Sequence, residues 1–174
     1  VTNHETRIEV APAEVLAEVH IEKVRLKKLP KDELYILGAS VNSIELLEKI
    51  IKAEVQPVLS SEALGQLLLA VIDKYRQNPN DFDKLAAFVV GRVEDPEELS
   101  GLFKFWSPEG AENEYAKVIE NCIKRVQTRH LKRQSEIIAG QLLDPQNSKT
   151  LEKLEQLMNI NKHRIQINKS VTGE

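Results

Sequence analysis

Cysteine, aromatic residues and long apolar runs are scarce or missing in this chain. A single cysteine, Cys122, excludes an internal disulfide framework and favours a reducing, cytoplasmic compartment. Aromatic residues make up only 5% of the chain, so the core must consist mainly of Leu, Ile and Val, and a base-stacking platform for single-stranded nucleic acid is not expected. No apolar run approaches the roughly 18 residues of a membrane span, and the N-terminus lacks the apolar segment of a signal peptide. We therefore predict no membrane partner.

Catalytic and metal-binding patterns are also missing from the sequence. The four histidines are scattered, no pair of histidines or cysteines has zinc spacing, and the glycines are too isolated for a phosphate-binding loop. The Asp81-Phe82-Asp83 pair begins a helix, where carboxylates favour the helix dipole, and we interpret it as a capping signal. The net charge of −3 gives no general attraction for nucleic acid. We predict no catalytic residue, no cofactor, no metal site and no strong direct nucleic-acid binding.

What the sequence does contain is a series of helices. Apolar residues recur at spacings of three and four between N-terminal capping signals, and no convincing strand follows Pro30. The candidate caps of the first three helices are Asp32, Asn42 or Ser43, and Ser60 or Ser61. The predicted fold is all-α, with a bundle of five to six helices over residues 31–128. Residues 1–30, which become basic near their end, are interpreted as a solvated linker or arm.

The longest predicted helix covers residues 111–143, which contain no proline and one glycine, Gly140. At about 1.5 Å per residue it would be close to 50 Å long, too long for a compact domain of this size. Its apolar stripe includes Ile119, Cys122 and Val126, and Cys122 is interpreted as a small core residue. The stripe is interrupted from Arg129 onward, so we expect residues 129–136 to be a solvated spacer between two packing units.

A last helix is predicted after a turn at residues 144–147. One face of it is apolar, consisting of Leu151, Leu154, Leu157, Met158, Asn161 and Ile165. Folded back, this face would cover Ile137, Ile138 and Leu142 as a helical hairpin. The predicted C-terminal subdomain is therefore residues 129–168, with a tail at residues 169–174.

The long helix also carries a basic cluster near the interruption of its apolar stripe. Four of its members, Lys124, Arg125, Arg129 and Lys132, are candidates for a patch that binds acidic peptides or phosphates. A solvated helix surface explains the same residues. The sequence leaves both interpretations open.

Three segments resemble the C-terminal domain of bacterial DNA primase. Residues 113–126 read NEYAKVIENCIKRV, residues 129–134 read RHLKRQ, and residues 151–157 read LEKLEQL. The segment ELYIL at residues 33–37 and the helices after it are similar in size and order to the first subdomain of that family. The similarity covers about residues 31–168. One departure is that the family often has a phenylalanine where residues 58–64 read VLSSEAL.

The resemblance implies a binding function rather than catalysis. In this family the domain docks on the N-terminal domains of the hexameric replicative helicase, and the terminal hairpin supplies much of the affinity. It can also contact the acidic tail of single-strand-binding protein. Primer synthesis belongs to earlier domains, so this chain is not expected to be an enzyme, and residues 1–30 would link it to the preceding catalytic domain. A monomer is expected.

The hairpin is the expected docking surface, because two short helices cannot cover all of each other's apolar residues. The predicted helicase-contacting residues are Leu143, Leu157, Met158, Ile160, Lys162, Arg164 and Ile165. The alternative is that the chain is the N-terminal scaffold domain of the replicative helicase itself, which shares the bundle fold and would oligomerise through its hairpin.

Overall fold

The computed structural model of the chain describes residues 22–105, 112–143 and 149–172. Within these ranges the chain is all-α and contains no strand, which confirms the predicted fold class. The described helices are α1 (Lys31–Asn42), α2 (Ile44–Lys52), α3 (Glu62–Gln77), α4 (Leu85–Val90), α5 (Pro96–Phe105), α6 (Glu112–Leu142) and α7 (Thr150–Thr172). A 3-10 turn at Leu26–Lys28 precedes α1, and two further 3-10 segments, at Gln56–Val58 and Pro79–Lys84, lie between helices.

Serine side chains define two of the helix starts. Ser43 Oγ accepts a hydrogen bond from the Leu46 N–H, and Ser61 Oγ accepts one from the Leu64 N–H. Of the alternatives left open by the sequence, Ser43 and Ser61 are therefore the caps. The expectation for α1 was wrong, because Pro30 occupies the N-cap position and Asp32 lies inside the first turn.

The bundle core is formed by α1 to α5 together with the first half of α6. Helix α6 packs against α1 and α2 and contributes four buried residues, Ile119, Cys122, Ile123 and Val126. Burying one valine or isoleucine side chain stabilises the fold by about 1.5–3 kcal/mol relative to leaving it exposed. Cys122 is a core residue, as predicted, and its thiol pKa is raised to about 11 by burial and by the nearby Asp32 carboxylate, against the opposing effect of Arg125.

The segment before α1 is part of this bundle. Val24 and Leu26 are only 2% and 0% exposed. The Val24 N–H donates to the Arg92 carbonyl oxygen at 3.0 Å, and the Glu94 N–H donates to the Val24 carbonyl oxygen at 2.9 Å. The interpretation of residues 1–30 as a solvated arm is therefore corrected for residues 24–29, because an alternating apolar pattern places two side chains in the core. Residues 1–21 lie outside the described residues.

Asp95 joins this segment to the start of α5. Its buried carboxylate accepts hydrogen bonds from the N–H groups of Leu26 at 2.8 Å and Lys27 at 2.9 Å. Burial raises the pKa of this carboxyl group, but the two backbone donors, its own N–H and the Lys27 charge together lower the pKa below the ordinary value. The carboxylate thus provides partners for backbone groups that the 3-10 turn leaves unpaired.

Helices α6 and α7 form an antiparallel hairpin that projects beyond the bundle. Lys124 Nζ donates to the Ser170 carbonyl oxygen at 3.1 Å, so the end of α7 lies beside the part of α6 that packs on the bundle. Helix α7 continues through Thr172 and therefore includes residues 169–172, which the sequence analysis assigned to the tail. The predicted turn at residues 144–147 lies outside the described residues.

Candidate functional site: the C-terminal hairpin

The hairpin has no buried core of its own among its described residues. From Gln127 to Leu143 and from Lys149 to Ser170, every side chain is partly buried or exposed. Several large apolar side chains are more than half exposed, including Leu143 at 85% and Leu151 at 81%. A pair of helices can bury one stripe of each partner and no more. Most of the apolar surface of this lobe is therefore available to another molecule.

Two rows of residues run along α7 and face different directions. The inner stripe, which is partly buried against α6, consists of Lys153, Leu157, Ile160, Arg164 and Ile167. The outer stripe, which is exposed, consists of Leu151, Leu154, Met158, Asn161 and Ile165. Both rows have alternating spacings of three and four, and at 100° per residue their centres are about 120° apart on the helix.

The single apolar face expected for the last helix was therefore wrong in one respect. Leu157 packs inward, whereas Leu154, Met158 and Ile165 face solvent and are 43%, 59% and 55% exposed. The reason is that α6 presents one narrow row to α7, in which small or polar residues alternate with apolar ones. That row consists of Thr128, Leu131, Ser135, Ile138 and Leu142, all partly buried.

The predicted helicase-contacting residues do not share one face of the hairpin. Leu143, Met158, Lys162 and Ile165 are exposed, whereas Leu157, Ile160 and Arg164 lie in the inner stripe. The prediction omitted three exposed apolar residues, Ile137, Leu151 and Leu154. The heptad-like spacing of Leu151 and Leu154 with Met158 is the sequence signal that could have identified two of them.

Arg164 makes the contact between α6 and α7 less stable than a contact between apolar side chains would be. Its Nε atom is buried and has no hydrogen-bond partner within the described residues. A buried donor left unpaired costs about 1–3 kcal/mol. Together with Thr128 and Ser135 on the facing helix, it indicates that the two helices hold each other weakly.

A groove of about 550 Å³ opens on the flank of the hairpin away from the outer stripe. Its lining is uncharged and consists of Gln134, Ile137, Ile138, Gln141, Gln156, Asn159 and Ile160. Ile137, which the sequence analysis placed under the last helix, is 55% exposed at this groove. The hairpin thus exposes apolar atoms on two opposite flanks.

A second groove, of about 450 Å³, lies where the hairpin meets the bundle. It brings together all four members of the predicted basic patch, Lys124, Arg125, Arg129 and Lys132, with Asn121, Thr128, Ile167 and Asn168. We call it the basic groove. It lies on the same flank as the outer stripe, because Ile165 is followed one turn later by Asn168.

The guanidinium group of Arg129 is not available to a ligand in this groove, because acidic residues of the bundle already bind it. Arg129 Nη1 donates to Asp32 Oδ2 at 2.9 Å, and Nη2 donates to Asp32 Oδ1 at 3.1 Å and to Glu33 Oε1 at 2.8 Å. The fully buried Glu33 carboxylate also accepts from Ser60 N at 3.0 Å and Ser60 Oγ at 2.8 Å. The hydrogen bonds that Arg129 donates to Asp32 and Glu33, together with the negative charges of both carboxylates, raise the pKa of Arg129 against the opposing effect of partial burial.

The expected spacer at residues 129–136 therefore needs correction at its first residue. Arg129 interrupts the apolar stripe because it faces two carboxylates on α1 rather than solvent. Residues 130–136 are partly buried or exposed, and none is enclosed in the bundle core. Lys132 Nζ lies 3.9 Å from Glu136 Oε1, an exposed pair within one helix that contributes little to stability.

Other chemistry is not evident in the part of the chain that the structure describes. No group of three or more His, Cys, Asp or Glu residues there could hold a metal ion. None of the described helices combines the length and hydrophobicity that crossing a bilayer requires. Comparisons of the chain with family models, curated proteins and solved structures find no match. The surface of the hairpin is therefore the best-supported candidate site.

Proposed function

We propose that this chain is a docking module that attaches a bacterial DNA primase to the N-terminal domains of the hexameric replicative helicase in the cytoplasm, and that it has no catalytic role of its own. The single observation that supports this most strongly is a two-helix lobe whose described side chains include no buried one and which carries exposed leucine, isoleucine and methionine side chains. Contiguous exposed apolar surface of this kind marks interaction sites. The resemblance of α6 and α7 to the primase family supplies the identity of the partner.

The energetics favour a partner at the hairpin rather than at the bundle. Burying an exposed leucine or methionine at an interface contributes on the order of 1–2 kcal/mol each, before the costs of association. The outer stripe alone offers Leu151, Leu154, Met158 and Ile165. Among the described side chains of the bundle, the exposed large apolar residues are fewer and about 40% exposed, such as Ile44 at 44% and Val90 at 40%.

The test is to mix the chain with a hexameric replicative helicase and measure co-elution on a sizing column and stimulation of the helicase ATPase. We expect a stable complex and increased ATP hydrolysis. A helicase that elutes separately and hydrolyses ATP at an unchanged rate contradicts the proposal. A primer-synthesis assay on the chain alone is expected to give no product.

Light scattering of the chain alone addresses the alternative, the scaffold domain of the helicase itself. A docking module is expected to be a monomer, whereas a scaffold domain is expected to form rings through its hairpin. A hexamer in solution would therefore favour the alternative.

The basic groove supports a second candidate function, binding of the acidic tail of single-strand-binding protein. The supporting observation is that the four cations predicted from sequence line one groove. Arg125 and Lys132 are its exposed members, since Lys124 and Arg129 bind groups within the chain. We expect an acidic peptide to bind at low salt and to lose affinity steeply as salt is raised. Affinity that is insensitive to salt, or unchanged in Arg125→Glu, contradicts this role.

A further inference from the structure

The outer stripe of α7 has the pattern of one half of a two-helix interface. Its residues Leu151, Leu154, Met158, Asn161 and Ile165 are spaced by three, four, three and four, over about 21 Å of helix. An alternation of this kind is what a second helix requires in order to pack along the first. The inner stripe has the same alternation, and α6 lies along it. Nothing within the described residues covers the outer one, since its members are exposed.

The charges beside the outer stripe change sign along the helix. Glu155 lies beside its first half, and Lys162 lies beside its second half. Beyond Ile165 the same flank continues into the basic groove, with the exposed residues Arg125 and Lys132. A molecule lying along the stripe therefore meets negative charge at one end and positive charge at the other.

We infer that the helicase docks on the outer stripe and not on the uncharged groove of the opposite flank. The helicase contributes an amphipathic helix with heptad-spaced apolar residues. This helix carries acidic side chains that face Lys162 and the basic groove, and basic side chains that face Glu155. This inference rests on the proposed function and specifies which face docks and what it recognises. Apolar contact supplies the affinity, and the charge gradient selects one direction of the incoming helix.

The position of Asn161 adds to the specificity. It is the single polar member of the outer stripe and lies between Met158 and Ile165. A polar amide at such a position favours one register, because a shifted helix would place an apolar residue against it. The partner helix is therefore expected to carry a small or hydrogen-bonding residue opposite Asn161.

The experiment is a binding titration of the whole chain with the helicase N-terminal domain, using variants matched for exposure. Met158→Asp changes the outer stripe, and Ile137→Asp changes the opposite flank at a side chain of similar exposure, 59% against 55%. We expect Met158→Asp to weaken binding at least tenfold and Ile137→Asp to leave it within about twofold. Both variants should keep the melting temperature of the wild-type chain, because neither side chain is buried.

Charge is tested with Lys162→Glu against Arg133→Glu, which changes an exposed cation on the back of α6. We expect Lys162→Glu alone to weaken binding, by about fivefold at low salt and less at high salt. Loss of binding in Ile137→Asp but not in Met158→Asp overturns the inference while the proposed function stands. Absence of binding by the wild-type chain overturns the proposed function first. A dimer of the chain that Met158→Asp dissociates would assign the stripe to a second copy and overturn the inference.

Discussion

Arg129 is the residue whose role changes most between sequence and structure. In the sequence it reads as a solvated cation that ends an apolar stripe. In the structure it binds Asp32 through two hydrogen bonds and also reaches the fully buried Glu33. Its partners are about a hundred positions earlier in the chain, and this pairing joins α6 to the start of α1. The side chain thus belongs to the bundle even though it lines the basic groove.

Replacement of Arg129 is expected to destabilise the bundle. Arg129→Met leaves the buried Glu33 carboxylate with Ser60 as its remaining partner. Because the Arg129 side chain is 36% exposed, solvent screens the pair, and the loss should be about 1–3 kcal/mol, less than for a fully buried ion pair. The free energy of unfolding, measured with urea, should fall by about that amount. Lys132→Met, on the next turn, is the control and should change it by less than about 0.5 kcal/mol. An equal, small effect of both variants would show that the pairing contributes nothing.

Asp95 makes the stability of the segment before α1 depend on pH. Because its pKa is lowered in the folded chain, the unfolded chain takes up its proton first as pH falls. The carboxylate therefore stabilises the fold above its unfolded pKa near 4, and this stabilisation is lost as pH falls through the lower folded pKa. Asp95→Asn should cost about 1–3 kcal/mol at pH 7 and progressively less below pH 4, in urea unfolding curves.

The matched variant for Asp95 is Glu94→Gln. Glu94 is exposed and pairs with the exposed Arg25. It should cost less than about 1 kcal/mol at pH 7. If Asp95→Asn showed the same loss at pH 3 as at pH 7, its carboxylate charge would not be the stabilising group.

At the scale of the element, α7 carries two stripes that differ in exposure. The inner stripe holds α7 to α6, and the outer stripe is exposed along its length. Ile160 and Ile165 are both among the helicase-contacting residues predicted from the sequence. The structure distinguishes them, because Ile160 lies in the inner stripe and Ile165 lies on the outer stripe. Ile160→Asp would therefore weaken docking indirectly, by loosening the hairpin.

The two stripes are expected to respond differently to truncation. Leu157→Ala removes a partly buried side chain from the inner stripe and should destabilise α7 by about 1–2 kcal/mol, seen as lost helical circular dichroism at a temperature where the bundle stays folded. Met158→Ala removes an exposed side chain and should leave the helical signal unchanged. Similar losses in both variants would show that both stripes are packed.

Much of this architecture is predictable from local sequence, and the exceptions have a common cause. The limits of α6 and the Ser43 and Ser61 caps follow from proline and glycine placement and from capping chemistry. The pairing of Arg129 with Asp32 and Glu33 cannot be predicted in this way, because an ion pair between distant positions leaves no periodic signal in the sequence. The sequence also does not show which of the two rows on α7 faces α6, because both rows have the same alternating spacing and both contain large apolar residues. The burial of Val24 depends on a bridge to Val93.

At the scale of the whole molecule, charge and apolar surface are unevenly distributed. Residues 129–172 contain eight Lys and Arg and four Asp and Glu, although the chain as a whole has a net charge of −3. The lobe that exposes the most apolar surface is thus also the basic one. A basic lobe with an acidic body favours an acidic partner surface and resists self-association, because two hairpins would repel each other.

The difference in burial between bundle and hairpin should also appear in their local stability. The bundle contains all the fully buried residues of the described chain, up to Val126. Helices without buried residues open at low free energy. In the free chain, backbone amides of α7 should therefore exchange with solvent much faster than those of α1 and α3.

The most direct test of the account is hydrogen exchange on the chain with and without the helicase N-terminal domain. We predict that added helicase slows exchange at least tenfold in residues 151–165, while residues 36–41 and 64–72 of the bundle are unchanged. Slowed exchange in the bundle, with a hairpin that exchanges as in the free chain, would contradict the claim that the hairpin is the docking surface.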